Sequence, residues 1–473
     1  MAGAIAAGHA LTAEAGARVL RAGGHAVDAA VAAAFVSWVC ESPLTGPGGG
    51  GFMLVHEAAT GKTAVLDFFV TVPRAVSTPA ELLELAVDFD GDTQQLFRTG
   101  SAAVAVPGTA KGLEEAHRRW GRMPWPELVA PAAALARRGF ELTAEQAYLH
   151  AILDALLRHS PEGDTMYGSN GRAYVAGERF AVPELGDTFD CLAAEGSSVL
   201  YVGELAERIA AHAPSVSVED LAAYAVIERE PLGVEYRRHE FRSNPPPSSG
   251  GLLIGLGLRA LGGCAITPGA IADAMEAQEA ARDAAFSRLL SSGDSALGLL
   301  KGTTHISVID ADGNAASLSS SLGSGSGVVV PGTGIHLNNM LGELDLVGAA
   351  QPGERLTSMM APSIVLRDGA PRLVVGSAGS ARLRGAILQV VANVIGRGMD
   401  VSAAVEAPRV HAEAGVVHCE DPAVADALEA EGRAVVRWRD RNLFFGGVSA
   451  VEIRDGEAAA AGDPRRGGAS VVT

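Results

Sequence analysis

Gly302-Thr303-Thr304-His305-Ile306-Ser307-Val308-Ile309-Asp310 is the stretch on which the reading of this chain turns. Ile306 to Asp310 alternates as a strand does, Ala311-Asp312-Gly313-Asn314 has the composition of a tight turn, and Ala315 to Leu322 reads as a returning strand. Upstream, from about Ile271 to Leu300, an Ala-, Glu- and Arg-rich segment reads as helix. A threonine on a glycine hinge at the head of a hairpin has the parts that self-cleavage requires. Glycine tolerates the strained backbone in which a hydroxyl attacks its own preceding carbonyl. Cutting Gly302–Thr303 would free an α-amine of reference pKa roughly 7.7–8, able to serve as internal general base near neutral pH. Taken alone, the same residues more often form an ordinary loop-to-strand junction.

The 473 residues allow one large domain or up to three small ones, and a hydrophobic fraction of 48% buries a sizeable core. Formal charge is −18, which leaves no basic stripe for nucleic acid or an anionic membrane surface. Cys40, Cys191, Cys264 and Cys419 are far apart, so neither a zinc knuckle nor a disulfide framework is implied. The N-terminus lacks a basic n-region, and the apolar run over 29–40 is too short to span a bilayer, so it reads as a buried helix in a cytoplasmic protein.

Outward from the hairpin the pattern is mixed. Thr12 to Ala22 reads as a helix capped by Thr12 and stopped at Gly23-Gly24, and Asp28 to Cys40 as a second helix. A glycine-rich loop, Pro43 to Gly51, feeds the strand Phe52 to His56, with Ala64 to Phe69 as its partner. Ala110 to about Leu157 is helical text interrupted by Pro124, Pro126 and Pro131. Ser243 to Gly251 is a rigid loop opening onto a helix. Hairpins are expected around Asp368-Gly369 and Asp455-Gly456, with a helix from Leu383 to Ile395 between them. No linker separates independent domains, and two sheets covered by helices on their outer faces is the economical arrangement.

Several motifs tempt without fitting. Gly255-Leu-Gly257 lies inside a helical stretch, where a dinucleotide fingerprint needs a strand-to-helix turn. Gly323-Ser-Gly-Ser-Gly327 lacks the Lys-Ser/Thr of a phosphate cradle and reads as a flexible loop. His411 and His418 flank Cys419 at strand spacing without a convincing metal set, and Asp67, Asp88, Asp90 and Asp92 read as solvated or capping carboxylates.

Ten ordered segments carry a resemblance. They include Gly-Gly-His25-Ala-Val-Asp28, Gly46-Pro-Gly-Gly-Gly-Gly51-Phe52, Val106-Pro-Gly-Thr-Ala-Lys-Gly112, Pro246-Pro-Ser-Ser-Gly-Gly251, Thr303-Thr-His305, Leu337-Asn-Asn339, Ser358-Met-Met-Ala-Pro362 and Gly376-Ser-Ala-Gly-Ser380. Together they resemble the γ-glutamyltransferase (γ-glutamyltranspeptidase) family across nearly the whole chain. The resemblance implies an α+β, four-layer αββα N-terminal nucleophile hydrolase, made as one precursor and cut between Gly302 and Thr303. The products would be a large subunit, 1–302, and a small catalytic subunit, 303–473, intertwined as a heterodimer or a higher oligomer of it. It implies Thr303 as nucleophile, Ser321 as a hydroxyl bonded to it, and backbone N–H groups of Gly379 and Ser380 as oxyanion hole. No metal or organic cofactor is implied. The partners are a small acyl or amide donor and a water or amine acceptor.

The donor pocket departs from the family's pattern. Phe69 stands where an arginine holds the donor carboxylate, and a phenyl ring cannot mimic that clamp. Gly323 replaces an asparagine, Met340 a glutamine and Glu343 an aspartate; of two serines Ser358 remains and Met359 replaces the other, subject to a one-residue gap. Arg74 or Arg382 would have to supply the missing charge from elsewhere. The sequence therefore points to an autoprocessing threonine hydrolase or acyltransferase whose donor is not ordinary glutathione. Two alternatives remain open: a cytoplasmic biosynthetic C–C bond hydrolase of the same family, as in actinobacterial pathways, and a non-catalytic binding homologue.

Overall fold

A computed structural model describes residues 2–74, 81–89, 93–287, 302–342, 351–379 and 382–473. Gly302–Ile309 and Ala315–Gly323 pair antiparallel around the 310–314 turn, in which the Asp310 carboxylate accepts from Asp312 N–H and Asn314 N–H. This hairpin is the centre of a seven-stranded sheet. Gly50–Glu57, Lys62–Phe68 and Ile227–Arg229 extend it on one side, Ala4–Ala7 and Ala469–Val472 on the other. A second sheet of six strands runs Leu232–Tyr236, His239–Ser243, Ser363–Arg367, Ala370–Ala378, Gly447–Arg454, Glu457–Gly462.

Alternation along the central hairpin explains why two sheets stack. Ile306 and Val308 point to helices outside the first sheet, among them the wholly buried Ala26–Cys40. His305 and Ser307 point inward, yet this polar face is not wet. Ser307 Oγ–H donates to Ser449 O of the second sheet, and the His305 ring lies over Gly376, where a Cβ would stand 2.2 Å from it. Phe52, Leu54, Ile309, Ile364 and Val374 complete the apolar part of the layer between the sheets. Helices Gly250–Leu261, Pro268–Ser287 and Arg382–Val391 cover the outer face of the second sheet. The result is the αββα sandwich expected from the sequence.

Both Asp-Gly hairpins form as expected: Asp368, Gly369, Asp455 and Gly456 all have positive φ, as the tight turn requires. Some local expectations are overturned. The first helix, Ala10–Arg21, is capped by the His9 ring, which accepts from Leu11 N–H, and Thr12 instead donates to Glu41. Pro131 does not interrupt Trp125–Arg138; it lies inside the helix on its exposed face. Asp67 is not solvated: it is buried, 2.8 Å from Arg229 and 3.3 Å from Arg355. The 323–327 glycine loop is not loose either. Its residues are mostly buried, and Ser326 N–H and Gly327 N–H donate to Leu337 O and His336 Nε2. The helix expected to reach Leu300 is described as far as Ser287. Among the described residues no helix is long and apolar enough to cross a membrane.

Candidate active site

The hairpin register decides what meets the Gly302–Thr303 bond. Gly302 pairs with Gly323 and Thr304 with Ser320, with an irregularity between them at Thr303. Ser321 Oγ–H thereby donates to Gly302 O, the carbonyl of the bond expected to break, and accepts from Gly323 N–H at 2.8 Å. The sequence resemblance had placed this hydroxyl on Thr303; in the uncut chain it rests on the carbonyl that Thr303 would attack. A Cβ at 302 would stand 2.3 Å from Gly323 O. Close approach of the two strands excludes any side chain.

Thr303 is buried, and its carbonyl accepts from Arg466 Nη1 at 3.2 Å. Thr304 Oγ1 donates to Glu41 Oε2 at 2.5 Å. Burial pushes the Glu41 carboxyl up, opposed by hydrogen bonds from Thr304 and Thr12 and by the charge of Arg466. Burial likewise lowers Arg466 to about 10. His305 is no competing base: both ring nitrogens face serine hydroxyls, and burial lowers it to about 3. A cavity of about 390 Å³ reaches Thr303, Thr304 and Glu41, with Tyr148, Leu149 and Leu443 among its apolar walls.

Ala378, on the same cavity, ends the strand that leads into the expected oxyanion loop. Gly379 has φ +126, and a Cβ there would stand 2.7 Å from Gly446 Cα, so this position is restricted to glycine on two counts. Arg382 N–H donates to Gly379 O at 3.2 Å. Ser380 and Glu343 lie outside the described residues.

The expected donor residues divide. Phe69 stacks on Phe52 and joins Met340, Leu356 and Met360 in the layer between the sheets. Met359 does not join them; it packs on the outer side of the second sheet, where Ser249 Oγ lies 2.9 Å from its Sδ. Met360 holds the inward position. Ser358 Oγ accepts from Met360 N–H, and Gly323 adopts φ +73. Neither proposed substitute cation is free at Thr303. Arg74 is half-exposed beside Asp220, and Arg382 is buried, 3.4 Å from Glu413 and stacked over Phe444. Burial depresses Arg382.

Sequence reasoning missed Glu41, Arg466 and Arg355. Glu41 carried a signal, an acid directly after a fifteen-residue apolar helix, where charge is costly unless held by hydrogen bonds. Arg466 and Arg355 gave none, since each finds its partner more than a hundred residues away. Among the described residues no group of three or more His, Cys, Asp or Glu is placed to hold a metal ion.

Comparison with known proteins bears on this arrangement. The family model described as gamma-glutamyltranspeptidase matches residues 12–296 and 270–473. The chain is 32% identical to the glutathione hydrolase proenzyme of Pseudomonas aeruginosa, over 99% of this chain and 94% of that protein. It is 33% identical to the acylase ACY 1 proenzyme of Pseudomonas sp. strain SE83, over 95% and 89%. The crystal structure of cephalosporin acylase from Bacillus halodurans superposes with a TM-score of 0.85 at 27% identity, covering 99% of this chain and 95% of that one.

Proposed function

From the premise that this chain belongs to the gamma-glutamyltranspeptidase family and is an enzyme of it, we propose an autoprocessing threonine hydrolase or acyltransferase acting through Thr303. The observation that carries the reading is the Ser321 hydroxyl seated on the Gly302 carbonyl. Thr303 Oγ adds to the Gly302 carbonyl carbon while the oxygen gains charge, and Ser321 O–H is already in place to stabilise it. The intermediate collapses as Thr303 N takes up the proton given up by Thr303 Oγ and the C–N bond breaks, leaving an ester and the free α-amine. Water then cleaves the ester, returning the Thr303 hydroxyl and releasing the Gly302 carboxylate as the new C-terminus of 1–302. Residues 1–302 and 303–473 are then separate chains sharing one fold.

In turnover the freed amine takes the proton from Thr303 Oγ as that oxygen attacks the donor carbonyl. It passes the proton to the leaving group, and the acyl ester is discharged to water or to an amine. Gly379, with Ser380, supplies the oxyanion donors in this reading. The donor in this reading is not ordinary glutathione, because Phe69 and Met340 stand where the resemblance expects an arginine and a glutamine, and both are buried among apolar side chains between the sheets. Loss of a charged clamp typically costs a hydrogen-bonded substrate orders of magnitude.

Purified wild type on a denaturing gel is expected to give two bands, sized as 1–302 and 303–473. A single intact band from a preparation with full turnover overturns the proposal.

A further inference from the structure

We propose that Glu41 and Arg466 are positioning residues that hold the 303–304 peptide between opposite charges and thereby set the proton affinity of the freed Thr303 amine. This rests on the reading of Thr303 as a new N-terminus, and goes beyond it in naming what tunes the base.

Glu41 caps the end of the helix Ala26–Cys40. Its carboxylate accepts from Thr304 Oγ1 at 2.5 Å and from Thr12 Oγ1 at 2.9 Å, and Glu41 is 6% exposed. Strand Ala4–Ala7 gives way to it: a Cβ on the next residue, Gly8, would stand 2.4 Å from Glu41 Oε2. On the other side Arg466 donates to Thr303 O, its Nε having no partner. Both groups line the cavity that reaches Thr303. A carboxylate and a guanidinium therefore grip the two residues immediately following the bond to be cut.

The remaining groups facing this cavity do not compete equally. Burial lowers His150, and His9 beside the lining residue Gly8, to about 4 and raises the Cys40 thiol, so these are neutral near pH 7. Asp463 and Arg465 are taken up with each other and with Arg409 and Glu420. Glu145, Asp440 and Arg441 also line the cavity. Among the described charged groups lining the cavity, Glu41 hydrogen-bonds Thr304 and Arg466 hydrogen-bonds Thr303 directly.

A nearby carboxylate raises an amine's pKa and a guanidinium lowers it. The base must be neutral to take the hydroxyl proton, so each charge moves the pH at which the nucleophile becomes competent. In Glu41→Gln, which keeps an acceptor for Thr304, the Thr303 amine pKa is expected to fall by about one unit. Arg466→Gln is expected to raise it by a similar amount, and Glu41→Asp, which keeps the charge, to stay near wild type. A purely structural role would lower activity at every pH without such opposed shifts.

The test is the pH dependence of trace acetylation of the Thr303 amine by acetic anhydride in each cleaved protein, read by mass spectrometry of the N-terminal peptide of 303–473. Where Glu41→Gln does not cut, Glu41→Asp and Arg466→Gln carry the comparison. Opposed shifts in the two charge-removing variants, or a rise in Arg466→Gln with Glu41→Asp unmoved, support the inference. Unchanged values, or shifts of one sign, overturn it. Absence of the 303–473 fragment from wild type overturns the reading of Thr303 first, and this inference with it.

Discussion

Thr303→Ala is expected to remain a single chain and to lose turnover by on the order of 10⁶-fold, the scale of removing a covalent nucleophile. Both effects share one cause. The same oxygen opens the Gly302 carbonyl in the precursor and takes up the acyl group afterwards, and alanine has neither the oxygen nor, without cleavage, the amine that would act as base. The buried side chain sits at the irregular end of a strand, so replacing it should leave the sheet intact. Thr303→Ser restores the oxygen without the branch that stiffens χ1, and is expected to cut, more slowly. Intact-mass analysis with an acyl-anilide assay reads both properties. A Thr303→Ala protein that turns over at the wild-type rate would end the account.

Ser321→Ala should slow cleavage of Gly302–Thr303 by about 10²–10³-fold, the usual cost of removing one preorganised donor to a developing oxyanion. The Ser321 hydroxyl is held on the carbonyl by the Gly323 N–H behind it, so it is oriented before any charge appears. Serine removal opens only a small hole at a buried position, and Ser321→Thr, which retains the hydroxyl, should recover most of the rate. Time courses of precursor disappearance after refolding measure this directly. Equal rates in wild type and Ser321→Ala would show that the hydrogen bond plays no part in cleavage.

Much of the fold was legible because its signals are local. Asp-Gly pairs between alternating segments gave two hairpins of the second sheet, and the apolar run before Cys40 gave the buried helix. Counting outward from the 310–314 turn sets Ser321 opposite Thr303, and only the irregularity between Gly302 and Thr304, which counting does not foresee, seats its hydroxyl on the Gly302 carbonyl. What escaped is long-range. Asp67 reads as a surface acid until Arg229 and Arg355 arrive from elsewhere in the chain. The 323–327 loop reads as loose because its glycines hide their partners at His336 and Leu337. Met359 and Met360 are indistinguishable by type, and only the layer each faces separates them. Glu41 and Arg466 complete the site through contacts spanning 263 and 163 residues.

N-terminal sequencing of the purified, active protein is the most direct measurement. One component should begin Thr-Thr-His-Ile, the sequence from residue 303. Fully active enzyme in which the bond between Gly302 and Thr303 remains uncut would contradict the account at its base.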